Sequence, residues 1–134
     1  MAESSRFQST HRLLAQCLAL ALAVMAGPAL AQDGAADSLT AQMAQIRGLA
    51  TGGQRAEAIE RYTALLAEHP DNGDLLLARG RTYAWDGQYA AAEADLGAVV
   101  RNSPGYADAW SALGDLYRWS DRPQQAVDAY SHWV

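Results

Sequence analysis

The side chains in this chain that could do chemistry are few, and their spacing does not suit catalysis. His69 and His132 stand far apart, with neither an HExxH pattern nor clustered cysteines, so the spacing that zinc sites use is missing. The serines lack a Gly-x-Ser-x-Gly setting, and the only cysteine, Cys17, sits in an apolar N-terminal run. Glu57 with Glu60, and Glu93 with Asp95, read as solvated helix faces rather than acid/base pairs, and Gly52-Gly53 reads as a turn rather than a phosphate cradle. All ten basic residues are arginine, which excludes a phosphate-loop lysine or a Schiff-base lysine within this chain. No enzyme, metal or cofactor is expected. What remains is recognition chemistry. Arg81 and Trp85 are four residues apart, the helical offset that sets a guanidinium over an indole, and Asp115 and Trp119 take the same two positions 34 residues later.

The elements that must position these residues come from a repeat. Shifting the stretch from Gly73 to Tyr106 forward by 34 residues puts Gly80 on Gly114, Tyr83 on Tyr117, Trp85 on Trp119, Ala92 on Ala126 and Leu96 on Tyr130. Shifting it back puts Pro104 on Pro70, Gly87 on Gly53, Ala92 on Ala58 and Leu96 on Tyr62. A fixed period of this size marks a stacked array in which no unit can bury its apolar face alone. Alanine and leucine recur at helical spacing and no alternating run appears, so the expected fold is all-α. Helices are expected over 38–51, 54–69, 73–86, 88–102, 107–120 and 122–134. Gly53 and Gly87 fall at the turns inside a unit, Pro70 and Pro104 stop the second helices, Asn72 is placed to cap the third helix, and Pro123 suits the first turn of the sixth. Glu57 and Arg61 form a surface pair at i, i+4.

The period and the residues that recur resemble the tetratricopeptide (TPR) repeat family. The match is closest in residues 107–134, where Trp110, Leu113, Gly114, Tyr117, Ala126 and Tyr130 take the family's Trp, Leu, Gly, Tyr, Ala and aromatic positions. The unit 73–106 keeps Gly80, Tyr83, Ala92 and Pro104 but has Leu76 for Trp and Arg79 for Leu. The unit 39–72 keeps Ala58, Tyr62 and Pro70, with Gln42 and Ile46 where Trp and Gly would stand. The resemblance implies a short right-handed solenoid of helix-turn-helix units, with the first helix of each unit lining a groove. Groove positions would then be Met43, Arg47, Thr51, Leu77, Arg81, Trp85, Ser111, Asp115, Arg118 and Trp119. It also implies a helix-pair contact between Gly114 and Ala126. Two readings of Trp85 and Trp119 stand side by side, as aromatic platforms for a ligand or as packing between repeats.

Residues 1–31 have the layout of a secretory signal: Arg6, His11 and Arg12, then an apolar run from Leu13 to Ala26, then Ala29-Leu30-Ala31 before Gln32. The run is short against the roughly 20 apolar residues a spanning helix needs. Residues 32–38 are expected to be a flexible lead. Without Cys17 the mature chain has no cysteine, hence no disulfide. The formal net charge of -5 argues against nucleic acid or an anionic membrane surface as main partner. The end of the sequence inside the last helix leaves Ala126, Val127, Tyr130, Trp133 and Val134 without a polar cap, which suggests either the N-terminal piece of a longer protein, the favoured reading, or a face that binds a partner. The runs at 75–96 and 106–130 resemble the TPR part of YaiO-type outer-membrane proteins, in which such repeats precede a β-barrel. Polysaccharide-export outer-membrane proteins carry similar arrays. These resemblances imply a periplasmic scaffold that binds a protein or peptide, or an envelope polysaccharide, with membrane association only through a C-terminal region beyond Val134. A free-standing periplasmic adaptor holding client peptides is the alternative, and an enzyme domain beyond Val134 a third.

Overall fold

A computed structural model describes residues 28–133, and the expected export signal falls outside them up to residue 27, as does Val134. Among the described residues there are six helices and no strand: α1 Pro28–Thr51, α2 Arg55–Glu68, α3 Gly73–Trp85, α4 Tyr89–Asn102, α5 Ala107–Trp119 and α6 Pro123–Trp133. The chain divides into two compact units, residues 1–40 and 41–134. Of the first unit, residues 28–40 are helical backbone. The helix therefore starts ten residues before the expected position 38, and the segment 32–38, expected to be a flexible lead, is helical. The other five helices fall within two residues of the expected ends.

The second unit holds the array. Each helix-turn-helix closes with the same hydrogen bond: the N–H of Gln54, Gln88 and Arg122 donates to the carbonyl of Leu49, Tyr83 and Tyr117, at 2.9, 2.9 and 2.8 Å. This closure requires a left-handed residue just past the helix end. Gly53 and Gly87 supply it at φ 92° and 78°, while the third turn uses Asp121 at φ 57°. Aspartate tolerates this conformation better than most side chains because its short polar group bonds locally. Between units the chain turns at Pro70 and Pro104, where the N–H of Asn72 and Tyr106 donates to the carbonyl of His69 and Ser103. Asn72 then caps α3, its Oδ1 accepting the N–H of Leu75 at 3.0 Å.

α3 packs on α4 and α5 on α6 within repeats, α2 on α3 and α4 on α5 between them, and α3 touches α5. The core follows the repeat, with Tyr62, Leu96, Leu75 and Leu116 fully buried and Ala58, Ala92 and Ala126 beside the facing helices. Burying each leucine contributes about 1.5–3 kcal/mol. At Gly80 an added Cβ would lie 2.9 Å from Cγ of Leu96. At Gly114 it would overlap the Tyr130 ring, whose atoms lie nearest. In both repeats glycine admits the large residue 16 positions on, which outweighs roughly 1 kcal/mol of lost helix propensity.

Candidate interaction face

The first helices α1, α3 and α5 carry one register of side chains three times: Arg47, Arg81 and Asp115, followed one turn later by Thr51, Trp85 and Trp119. Trp85 and Trp119 are the last residues of their helices, and each stays about two-fifths exposed, at 42% and 41%. They are thus not sealed between repeats. The guanidinium of Arg118 lies 5.7 Å from the Trp119 ring centroid, within cation–π range. The stack expected of Arg81 on Trp85 takes a different form. Arg81 is half-buried and donates from Nη2 to the Asp108 carbonyl at 3.3 Å, tying α3 to the first turn of α5. Asp115 is held through one oxygen, Oδ1, which accepts from the Tyr130 hydroxyl at 2.7 Å and pairs with Arg118 at 3.4 Å. Burial and the Asp115 bond raise the Tyr130 pKa.

Other groove positions diverge. Arg47 and Thr51 are exposed, the Thr51 hydroxyl donating back to the Arg47 carbonyl at 3.0 Å, whereas Met43 and Ser111 are half-buried. Leu77, expected on the groove, is buried and belongs to the core cluster with Leu113 and Ala109. The physical reason is position: Leu77 lies three residues before Gly80, close to where α3 meets its neighbours, and its apolar side chain follows them inward. Among the framework positions, Ala58, Tyr62, Gly80, Ala92, Leu113, Gly114 and Ala126 are buried, Tyr83, Trp110, Tyr117 and Tyr130 are half-buried, and Pro70 and Pro104 are exposed.

Three polar clusters are not evident from sequence. Asp95, read as solvated, is buried and takes a two-pronged bond from Arg79, Nε to Oδ2 at 2.7 Å and Nη2 to Oδ1 at 2.8 Å. Arg79 also reaches the Thr63 hydroxyl of α2 at 3.1 Å and lies over the Tyr83 ring, so one side chain joins three helices. The bond to Asp95 raises the Arg79 pKa. Glu93, likewise read as solvated, accepts from Arg122 at 2.8 Å and from the Tyr117 hydroxyl at 3.1 Å. Arg122 in turn covers the Tyr117 ring at 4.5 Å. The Arg122 bond lowers the Glu93 pKa. Tyr106 donates to Asp74 at the mouth of an open cleft of about 280 Å³ between the start of α3 and the end of α4, and that bond pushes its pKa up to about 12. Beyond these clusters, His132 stacks on Trp110 at 4.2 Å between ring centroids, while the Trp110 indole donates to the Pro104 carbonyl at 2.7 Å. Glu57 and Arg61 pair on the surface at 2.6 Å as expected.

Paired helices and a 34-residue register define a helical-repeat array. Residues 49–94, from the end of α1 into α4, match the family model described as tetratricopeptide repeat, which supports reading the array as TPR units and suggests a protein-interaction scaffold. No curated protein matches the chain. No described helix is long and apolar enough to cross a membrane, and no group of three or more metal-ligating side chains occurs among the described residues.

Proposed function

We propose that this chain is an exported, periplasmic interaction scaffold that binds a peptide segment of a partner across the exposed ends of α3 and α5, as a module of a cell-envelope assembly. The observation that carries the binding reading is the pair Trp85 and Trp119, two indoles at one register position in successive repeats, both left partly open to water. Such residues supply large contact area at low entropic cost and dominate interface energetics. Export rests on the basic start, the apolar run and Ala29-Leu30-Ala31 in the sequence.

Selection of random peptides displayed on phage against the immobilised protein tests the binding reading. Selected peptides should lose at least about thirtyfold in affinity on Trp85→Ala or Trp119→Ala, the cost of a central aromatic anchor. Failure to select any peptide that distinguishes these variants from the wild type contradicts it. N-terminal sequencing of the exported protein tests the rest: a start at Gln32 is expected, and an intact cytoplasmic Met1 form contradicts export.

A further inference from the structure

We infer that the peptide this face takes is basic and lays one arginine or lysine side chain on Trp85, an inference that rests on the peptide-binding reading. The two indoles differ in what already covers them. Trp119 carries a cation of its own: the Arg118 guanidinium lies 5.7 Å from its ring centroid and pairs with Asp115 at 3.4 Å. In the preceding repeat the position of Arg118 is filled by Ala84, which is buried, and that of Asp115 by Arg81, which is committed to the Asp108 carbonyl at 3.3 Å. No guanidinium among the described residues lies over Trp85, although it is as exposed as Trp119. Trp85 is therefore the indole left open to a cation from outside, and an indole face attracts one.

The unpaired charge selects the same sign of partner. Residues 73–133 hold eight carboxylates, five arginines and no lysine. Arg79, Arg118 and Arg122 are each paired with a carboxylate, which leaves five carboxylates against two arginines. Neither of those two offers a free charge at Trp85. Arg81 is half-buried and tied to α5, and Arg101 stands in the last turn of α4, beside the start of α3 and so at the other end of that helix from Trp85. Two of the unpaired carboxylates, by contrast, adjoin the tryptophans: Asp86 follows Trp85 directly and Asp121 follows Trp119 by two residues, both exposed. Consecutive Cα atoms are about 3.8 Å apart, so each charge lies within roughly one Debye length of its tryptophan. Asp86 takes a hydrogen bond from the neutral Gln88 amide at 2.7 Å and keeps its charge. Both tryptophans also end their helices, where the macrodipole is negative. An acidic peptide would meet like charge at each of these points, whereas a basic one meets its complement. Arg47, exposed and without an ion pair among the described residues, limits this acidic character to the ends of α3 and α5.

Sequencing of the phage-selected peptides, followed by fluorescence anisotropy with one of them labelled, tests this. The selected peptides are expected to be enriched in arginine and lysine. Exchange of their basic residues for glutamine, one at a time, should at one position weaken binding to the wild type about tenfold. That position should cease to matter on Trp85→Ala and should still matter on Trp119→Ala. Asp86→Asn, a change at an exposed side chain that leaves the indole in place, should weaken the basic peptide several-fold and leave its glutamine analogue unchanged. Selected peptides that are neutral or acidic, or that contain no basic residue whose exchange is felt by the wild type and not by Trp85→Ala, overturn the inference; if they still lose affinity on the tryptophan variants, the peptide-binding reading stands. If no selected peptide responds to either tryptophan variant, the broader reading falls with it.

Discussion

Arg79 grips Asp95 with two parallel hydrogen bonds between α3 and α4, at the positions that the next repeat fills with Leu113 and Ala129. The same helix pair is thus closed once by an ion pair and once by apolar contact. The side chains are only 18% and 9% exposed, so the pair is largely desolvated. Removing one partner of such a pair strands the other charge, whereas replacing both with apolar residues is often neutral or stabilising.

Asp95→Ala should therefore cost about 3 kcal/mol, while the double change Arg79→Leu with Asp95→Ala, which copies the third repeat, should recover most of it. Urea denaturation of these variants and of Arg79→Leu alone checks this. A loss in the double variant equal to the sum of the losses of Asp95→Ala and Arg79→Leu alone would show that the pair is not coupled.

Gly114→Ala should destabilise by roughly 1–3 kcal/mol, because the new methyl overlaps the Tyr130 ring and overpacking outweighs the gain in helix propensity. Gly80→Ala should cost less, since there the obstacle is the branch of the Leu96 side chain at 2.9 Å. Thermal melts of the two variants give the order directly.

Glu93 links α4, α5 and the turn into α6, and the Arg122 bond holds its carboxyl below the ordinary value of 4.5. A carboxylate with a depressed folded pKa contributes stability above its unfolded pKa and loses it as pH falls through the folded value. The stability difference between wild type and Glu93→Gln should accordingly be present near neutral pH and fade as pH drops below about 4.5. Denaturation curves from pH 7 to pH 3 check it. A difference that is constant over that range would mean the ion pair contributes nothing to stability.

Trp85→Ala and Trp119→Ala should each change stability by about 1 kcal/mol or less, in contrast to Tyr62→Ala, whose fully buried ring makes a loss of about 3–5 kcal/mol the expectation. Melting far below wild type in both tryptophan variants would return these residues to inter-repeat packing.

The helices and turns are legible in the sequence because the repeat states them three times: Gly53 and Gly87 announce the left-handed turn, and Asp121 falls at the same register where glycine is lost. The start of α1 is not, since residues 32–38 lie outside the repeat and contain a glycine and two aspartates, which argue for a loop. The Arg79–Asp95 pair is hidden because each residue alone looks like surface. The signal lies in the comparison: both positions become apolar 34 residues later, so opposite charges there imply a buried partner. Leu77 is misplaced when a groove position is carried over from the resemblance without asking whether an apolar side chain would turn inward. The exposure of Trp85 and Trp119 does not follow from residue type, because indole suits cores and interfaces equally.

The four indole N–H groups of the chain give the most direct test of the interaction face. In a ¹H–¹⁵N titration with a phage-selected peptide, the indole signals of Trp85 and Trp119 should shift together and saturate at one affinity. Trp110, whose N–H is committed to the Pro104 carbonyl at 2.7 Å, should stay in place, as should Trp133 on α6. Shifts confined to Trp110 and Trp133, with Trp85 and Trp119 unmoved at saturation, would contradict the account.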